Sequence, residues 1–197
     1  KITVTTEGTA MELGTSKNMT GINRGTITVE KAQTGAFAVG ALIKGAQGTF
    51  TNEGTIEAGE GAYAISVEGH DGDDNQVDTV ANIVLADGSK TIGNVQVKGK
   101  NHNTNDVVAT FAIAQGAQVQ GNFELSTGEI DIDSDNATIH GDINVSGDAD
   151  LAVEGNLAVQ GVEVKGGVFS MDSGTHTLVA PLTRADEETP DITIGNG

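Results

Sequence analysis

Apolar and polar residues alternate along nearly the whole chain. The runs "ITVTT" (2–6), "TITVE" (26–30), "YAISVE" (63–68), "NVQVKG" (94–99), "NFELS" (122–126), "EIDID" (129–133) and "DINVSG" (142–147) place apolar side chains at alternate positions. Each run is short and bounded by Gly, Asn or Asp, which is the signature of half-buried strands. No window of a dozen residues carries a helical stripe free of glycine. The pattern predicts an all-β protein.

One strand is written twice. "NRGTITV" starts at Asn23 and "NEGTIEA" at Asn52, 29 residues later. A companion strand follows each copy: "GAFAV" from Gly35 and "GAYAI" from Gly61, 26 residues apart. Strands that keep their pattern while the connection changes length are typical of a solenoid, where a shared core fixes the strands and loops vary outside it. The alternation then assigns faces. Ile27 and Val29 should stack on Ile56 and Ala58, and Phe37 and Val39 on Tyr63 and Ile65, with Thr26, Thr28, Thr55 and Glu57 outside. Asn23 and Asn52 suit turns and can ladder from one copy to the next, and Gly25 and Gly54 suit the bend.

A looser motif marks the second half: Gly, then Asn or Asp, then apolar-polar-apolar. It reads "GNVQV" at 93, "GNFEL" at 121, "GDINV" at 141 and "GNLAV" at 155, with spacings of 28, 20 and 14. Unequal spacings imply that some copies sit on different faces of one coil. No proline precedes Pro181, so nothing interrupts backbone pairing over this length. These features predict a single right-handed parallel β-helix over residues 1–183. Repeats of roughly 20–30 residues would give about seven coils. Residues 184–197, with a charge cluster and Pro190, read as an acidic tail, cap or linker. An antiparallel sandwich or jelly roll is the alternative.

Composition agrees with a strand core. The only rings are Phe37, Phe50, Tyr63, Phe111, Phe123 and Phe169, so Val, Ile, Leu and Ala must do the filling, and β-branched residues suit stacked strands. The 28 glycines imply many tight turns. Net charge is −18, with 8 basic and 12 acidic residues in 1–100 but 2 and 16 in 101–197. Such a field disfavours nucleic acid and anionic membrane as direct partners. Without cysteine there is neither a disulfide nor a thiolate metal site. No apolar run reaches the roughly 18 residues of a membrane helix. The chain opens directly in "KITVTT" and reads as a mature protein or an excised piece.

The Asn-x-Gly-Thr-Ile strand, the "GAYAI" companion and the series "GNV", "GNF", "GDI", "GNL" resemble the passenger domains of bacterial autotransporters, in particular AIDA-type adhesins. Low lysine, absent cysteine and the acidic Gly/Thr/Asn/Val-rich composition fit that resemblance. It implies an exported, extracellular segment at the bacterial cell surface, anchored to the outer membrane by a separate barrel. It implies adhesion or self-association, the behaviour behind biofilm formation and virulence. The partner would be a host surface protein or glycan, or another copy of the chain.

Candidate chemistry is sparse. "HDGDDNQVD" (70–78) gathers Asp71, Asp73, Asp74, Asn75 and Asp78, hard oxygen ligands suited to calcium. Yet Gln76 stands where a twelve-residue calcium loop needs glycine, and Asn82 where it needs glutamate. A solvated loop is the plainer reading. In "DIDSDN" (131–136) Asp131, Asp133 and Asp135 alternate with apolar residues, which describes a strand with an acidic outer face. If such acids stack on neighbouring coils, they repel unless cations intervene. His70, His102, His140 and His176 show no zinc spacing, and neither a nucleophile elbow nor a phosphate loop occurs. The chain therefore reads as a non-enzyme without a cofactor, calcium apart. A carbohydrate-binding or carbohydrate-cleaving β-helix of the tailspike or lyase kind is one alternative, and a structural spacer is another. The sequons at Asn18, Asn136 and Asn144 carry no weight.

Overall fold

The computed structural model describes residues 1–5, 7–14, 16–31, 37–69, 78–99, 107–184 and 191–194. Among them there is no helix, and 18 strands form one sheet. They are β1 (Ile2–Val4), β2 (Gly8–Gly14), β3 (Met19–Asn23), β4 (Thr26–Val29), β5 (Ala38–Lys44), β6 (Gln47–Asn52), β7 (Thr55–Ala58), β8 (Tyr63–Glu68) and β9 (Thr79–Leu85). There follow β10 (Lys90–Ile92), β11 (Asn94–Lys98), β12 (Val107–Ile113), β13 (Gln118–Gln120), β14 (Phe123–Val164), β15 (Val168–Met171), β16 (His176–Leu178), β17 (Thr183–Arg184) and β18 (Asp191–Ile194).

Up to β11, each strand pairs in parallel with the strand three places further on, and β12 and β13 pair with successive parts of the long β14. This sorts the chain into three columns. In the first, Ile2, Ile27, Ile56, Thr91, Val119 and Ile139 occupy one register position. In the second, Met11, Ala41, Ile65, Val95 and Phe123 do so. In the third, the position belongs to Gly21, Phe50, Ile83, Phe111 and Ile132. Parallel neighbours need a long crossover, and two intervening strands supply it here. This pairing is consistent with a β-solenoid.

Alternate residues of all three columns enter one apolar cluster. Phe50, Phe111, Phe123 and Phe169 are fully buried in it. Phe111 of the third column meets Phe123 of the second edge to face, with ring centroids 5.3 Å apart, a favoured aromatic geometry.

The 42-residue β14 would extend roughly 140 Å if straight, at 3.3 Å per residue. It instead pairs with β11, β12, β13, β15, β16 and β17, so it must turn corners without losing its ladder. Left-handed backbone at Gly128, Asn136, Gly147 and Gly155 marks the places. Pairing also runs into the segment read as a tail, since β18 pairs with β15.

The first expected stack is as predicted: Ile27 pairs with Ile56 and Val29 with Ala58. The second is displaced by two residues. Tyr63 pairs with Val39 rather than Phe37, and Ile65 with Ala41 rather than Val39. A shift of two keeps every side chain on its face, so the pattern could not reveal it. The looser motif also divides as its spacings imply. A Cβ on Gly121 would collide with the Gly93 carbonyl oxygen and one on Gly141 with that of Gly121, so these three glycines stack at one corner. Gly155 belongs to another corner, beside Ser134 and Gly174.

Candidate interaction surface

Asn23 and Asn52 end β3 and β6 and are buried. Asn23 Nδ2 donates to Asn52 Oδ1 at 2.9 Å, and Asn52 Nδ2 donates to Thr91 Oγ1 at 3.1 Å and the Lys90 carbonyl at 3.0 Å. Each Oδ1 accepts the amide of the glycine two residues on, Gly25 at 3.1 Å and Gly54 at 3.3 Å. The expected ladder is real, and it is internal: Asn23, Gly25, Ile27, Val29, Asn52, Gly54 and Ile56 hold a corner and fill the core. The ladder stops where Leu85 takes the register position after Asn52. Nearby, the Ser89 hydroxyl is buried without a partner.

Phe37 and Tyr63 are not core rungs. Phe37 precedes β5 and is half-buried, its ring centroid 6.4 Å from that of Tyr63 and 4.8 Å from the Lys98 ammonium. Tyr63 donates its hydroxyl to Glu124 Oε2 at 3.2 Å. Both rings thus serve the outer face of the second column. Burial pushes the Tyr63 phenol above its ordinary value, and the Glu124 and Glu68 carboxylates add to the shift.

That face has a mixed polar lining. Gln96 and Glu124 are register partners, and with Asn144 and Glu163 from later passes they line a cleft of about 370 Å3. Lys98, Ser126, Ser146 and Lys165 line it as well. Glu124 is held firmly: its Oε1 accepts Asn94 Nδ2 at 2.7 Å while Oε2 accepts Tyr63. Lys98 contacts Glu68 at 3.2 Å and Lys165 contacts Glu163 at 2.9 Å.

The outer face of the third column is acidic in the second half. Glu129, Asp131, Asp133 and Asp135 alternate with buried Ile130, Ile132 and Ser134 on one pass, and Asp148, Asp150 and Glu154 alternate with Ala149, Leu151 and Val153 on the next. Glu129, Asp148 and Asp150 share one recess. The acidic reading of "DIDSDN" is therefore the observed one. Among the described residues, no group of three or more His, Asp or Glu is placed to hold a metal ion. Asp71, Asp73, Asp74 and Asn75, the calcium candidates, lie outside the described residues. His140 is exposed, whereas His176 is paired beside Leu157 with both ring nitrogens buried and unpartnered.

No family model, curated protein or solved structure matches the chain. The surface therefore rests on its own geometry. The residues that line the cleft were missed as a group, although one signal was present. Aligning "GNVQVK", "GNFELS" and "GDINVS" on their glycines puts Gln96, Glu124 and Asn144 in one row and Lys98, Ser126 and Ser146 in another.

Proposed function

We propose that the chain is a right-handed parallel β-solenoid displayed at a bacterial cell surface, where its outer faces mediate adhesion or self-association. Three successive strand segments form one coil, giving about eight coils, and the crossovers take the hand that parallel connections favour. The observation that carries the reading is the division of each strand. Core positions are apolar and continuous, the backbone is paired from rung to rung, and the outward positions are polar ladders. Such a molecule is stiff and presents long faces with few moving parts. The sequence resemblance to autotransporter passengers supplies the setting: export, and a host surface molecule or another copy as partner.

Displaying residues 1–197 on non-clumping bacteria tests this. Clumping, or attachment to host cells, is expected. Display at equal density with neither would reduce the chain to a spacer and overturn the proposal.

A further inference from the structure

We infer that the cleft on the outer face of the second column binds a neutral oligosaccharide. This names a partner class for the adhesion reading above and rests on it only for its biological setting.

Shape comes first. The cleft of about 370 Å3 falls within the usual size of ligand sites. Its row of Gln96, Glu124, Asn144 and Glu163 crosses successive passes. At about 4.8 Å per step, three steps span roughly 14 Å. That suits a short chain of sugars lying across the strands better than a single ring.

The lining chemistry selects the ligand. Two carboxylates and the Asn144 amide offer acceptors and donors, the groups that match adjacent sugar hydroxyls, while buried Gln96 already donates its Nε2 to Ser66 Oγ at 2.8 Å and forms the floor. Glu124 is already aimed. Asn94 and Tyr63 take one bond on each of its oxygens, which leaves further lone pairs open to a ligand. Asn94 is itself fixed, since its Oδ1 accepts the Asn122 amide at 3.1 Å. A carboxylate oriented before binding costs less to use. With its phenol raised, Tyr63 stays protonated at neutral pH and keeps donating.

Other occupants fit less well. An extended peptide cannot add a strand here, because the column's backbone groups are already paired from rung to rung. Nucleic acid and anionic glycans meet a chain of net charge −18 and the carboxylates of Glu124 and Glu163. An apolar ligand would leave these polar groups unpaired.

Calorimetry on the full chain decides the matter. The probes are gluco-, manno-, xylo- and chito-oligosaccharides, with oligogalacturonate as the anionic control. At least one neutral oligosaccharide should bind, and Glu124→Gln and Tyr63→Phe should each weaken it at least about tenfold. Asp150→Asn, on the acidic face, should leave it unchanged. Ligand should also perturb the near-ultraviolet signal of the single tyrosine, a readout that does not depend on the variants folding. Three results would overturn the site: no neutral probe binds, binding is indifferent to both cleft variants, or oligogalacturonate alone binds and is lost with Lys98→Ala. Clumping without saccharide binding would remove this site and leave the adhesion proposal standing. Saccharide binding without clumping or attachment would do the reverse.

Discussion

The two halves of the molecule solve one stacking problem differently. In the first half, register partners are 24–35 residues apart, as in Ala41 to Ile65, Ile27 to Ile56, Ile56 to Thr91 and Thr91 to Val119. In the second half the interval falls to about 20: Val119 to Ile139 is 20, Leu157 to His176 is 19 and Leu151 to Phe169 is 18. The first half spends its extra residues between strands and ties one corner with buried asparagines. The second half turns its corners inside the continuous β14, at single left-handed residues. The electrostatics differ too. Across the first half, base faces acid one register step away, as in Arg24 with Glu53 and Lys31 with Glu60. In the second half, the passes 129–135 and 148–154 carry seven acids and no Lys or Arg, and Glu129, Asp148 and Asp150 line one recess. Core packing, common to both halves, therefore sets the architecture, while corners and outer charges are free to vary.

The largest effect should come from breaking what the halves share. Phe111→Ala removes a fully buried ring that meets Phe123 and should cost about 3–5 kcal/mol. Phe37→Ala, outside the core, should cost at most about 1 kcal/mol. Equal losses in chemical denaturation would mean that Phe37 is a core rung after all.

Corners come next. Asn52→Ala strips partners from Asn23, Thr91 and the Gly54 amide, and should cost about 2–3 kcal/mol. Asn156 forms a comparable link in the second half, donating to Asn136 at 2.9 Å and accepting from Thr175 at 2.7 Å, but these bonds are exposed. Asn156→Ala should cost about 1 kcal/mol or less. A double-mutant cycle of Asn23 and Asn52 should show strong coupling, and additivity would contradict the buried ladder.

Salt separates the halves by charge. Adding sodium chloride should raise hydrogen-exchange protection in 129–154, where screening weakens repulsion within the acidic face by a few tenths of a kcal/mol per pair. Protection in 24–60 should fall slightly or hold, because the exposed pairs there attract weakly. Uniform change along the chain would erase the electrostatic contrast.

The smallest effect belongs to Tyr63. Burial raises its folded pKa above the ordinary phenol value, so its contribution is fully present below the unfolded pKa and lost as pH rises through the folded one. Phenolate absorbance should therefore titrate above pH 10.0, and Glu124→Gln should bring the midpoint down by removing a neighbouring charge. The chain has one tyrosine and no tryptophan, which makes the titration specific to this site. A midpoint at or below the ordinary value would refute the partly buried contact with Glu124.

Much of the architecture was legible because it depends on local periodicity. Alternation at Ile27, Val29, Ile56, Val95, Val97, Ile130 and Ile132 reports which side chains face the core, whatever the strands' neighbours. The Asn23–Asn52 repeat gave the partner strand as well, because a turn residue fixes register. The second repeat misled for a physical reason. "GAFAV" and "GAYAI" look alike, but a two-residue slip preserves the faces, and contacts of Phe37 with Tyr63 and Lys98 outside the core set its place. The cleft was illegible for a related reason, since its members come from four separate passes and become neighbours only through stacking.

By itself, then, the sequence determined the strand class, the inward and outward faces and the acidity of the second half, each a property of single residues and their spacing. Only the tertiary structure decided which strands pair beyond the Asn23–Asn52 repeat, where β14 turns and that Glu124, Asn144 and Glu163 share one cleft. Those facts depend on how many residues each circuit of the chain consumes, and the packed core fixes that number from outside any single strand.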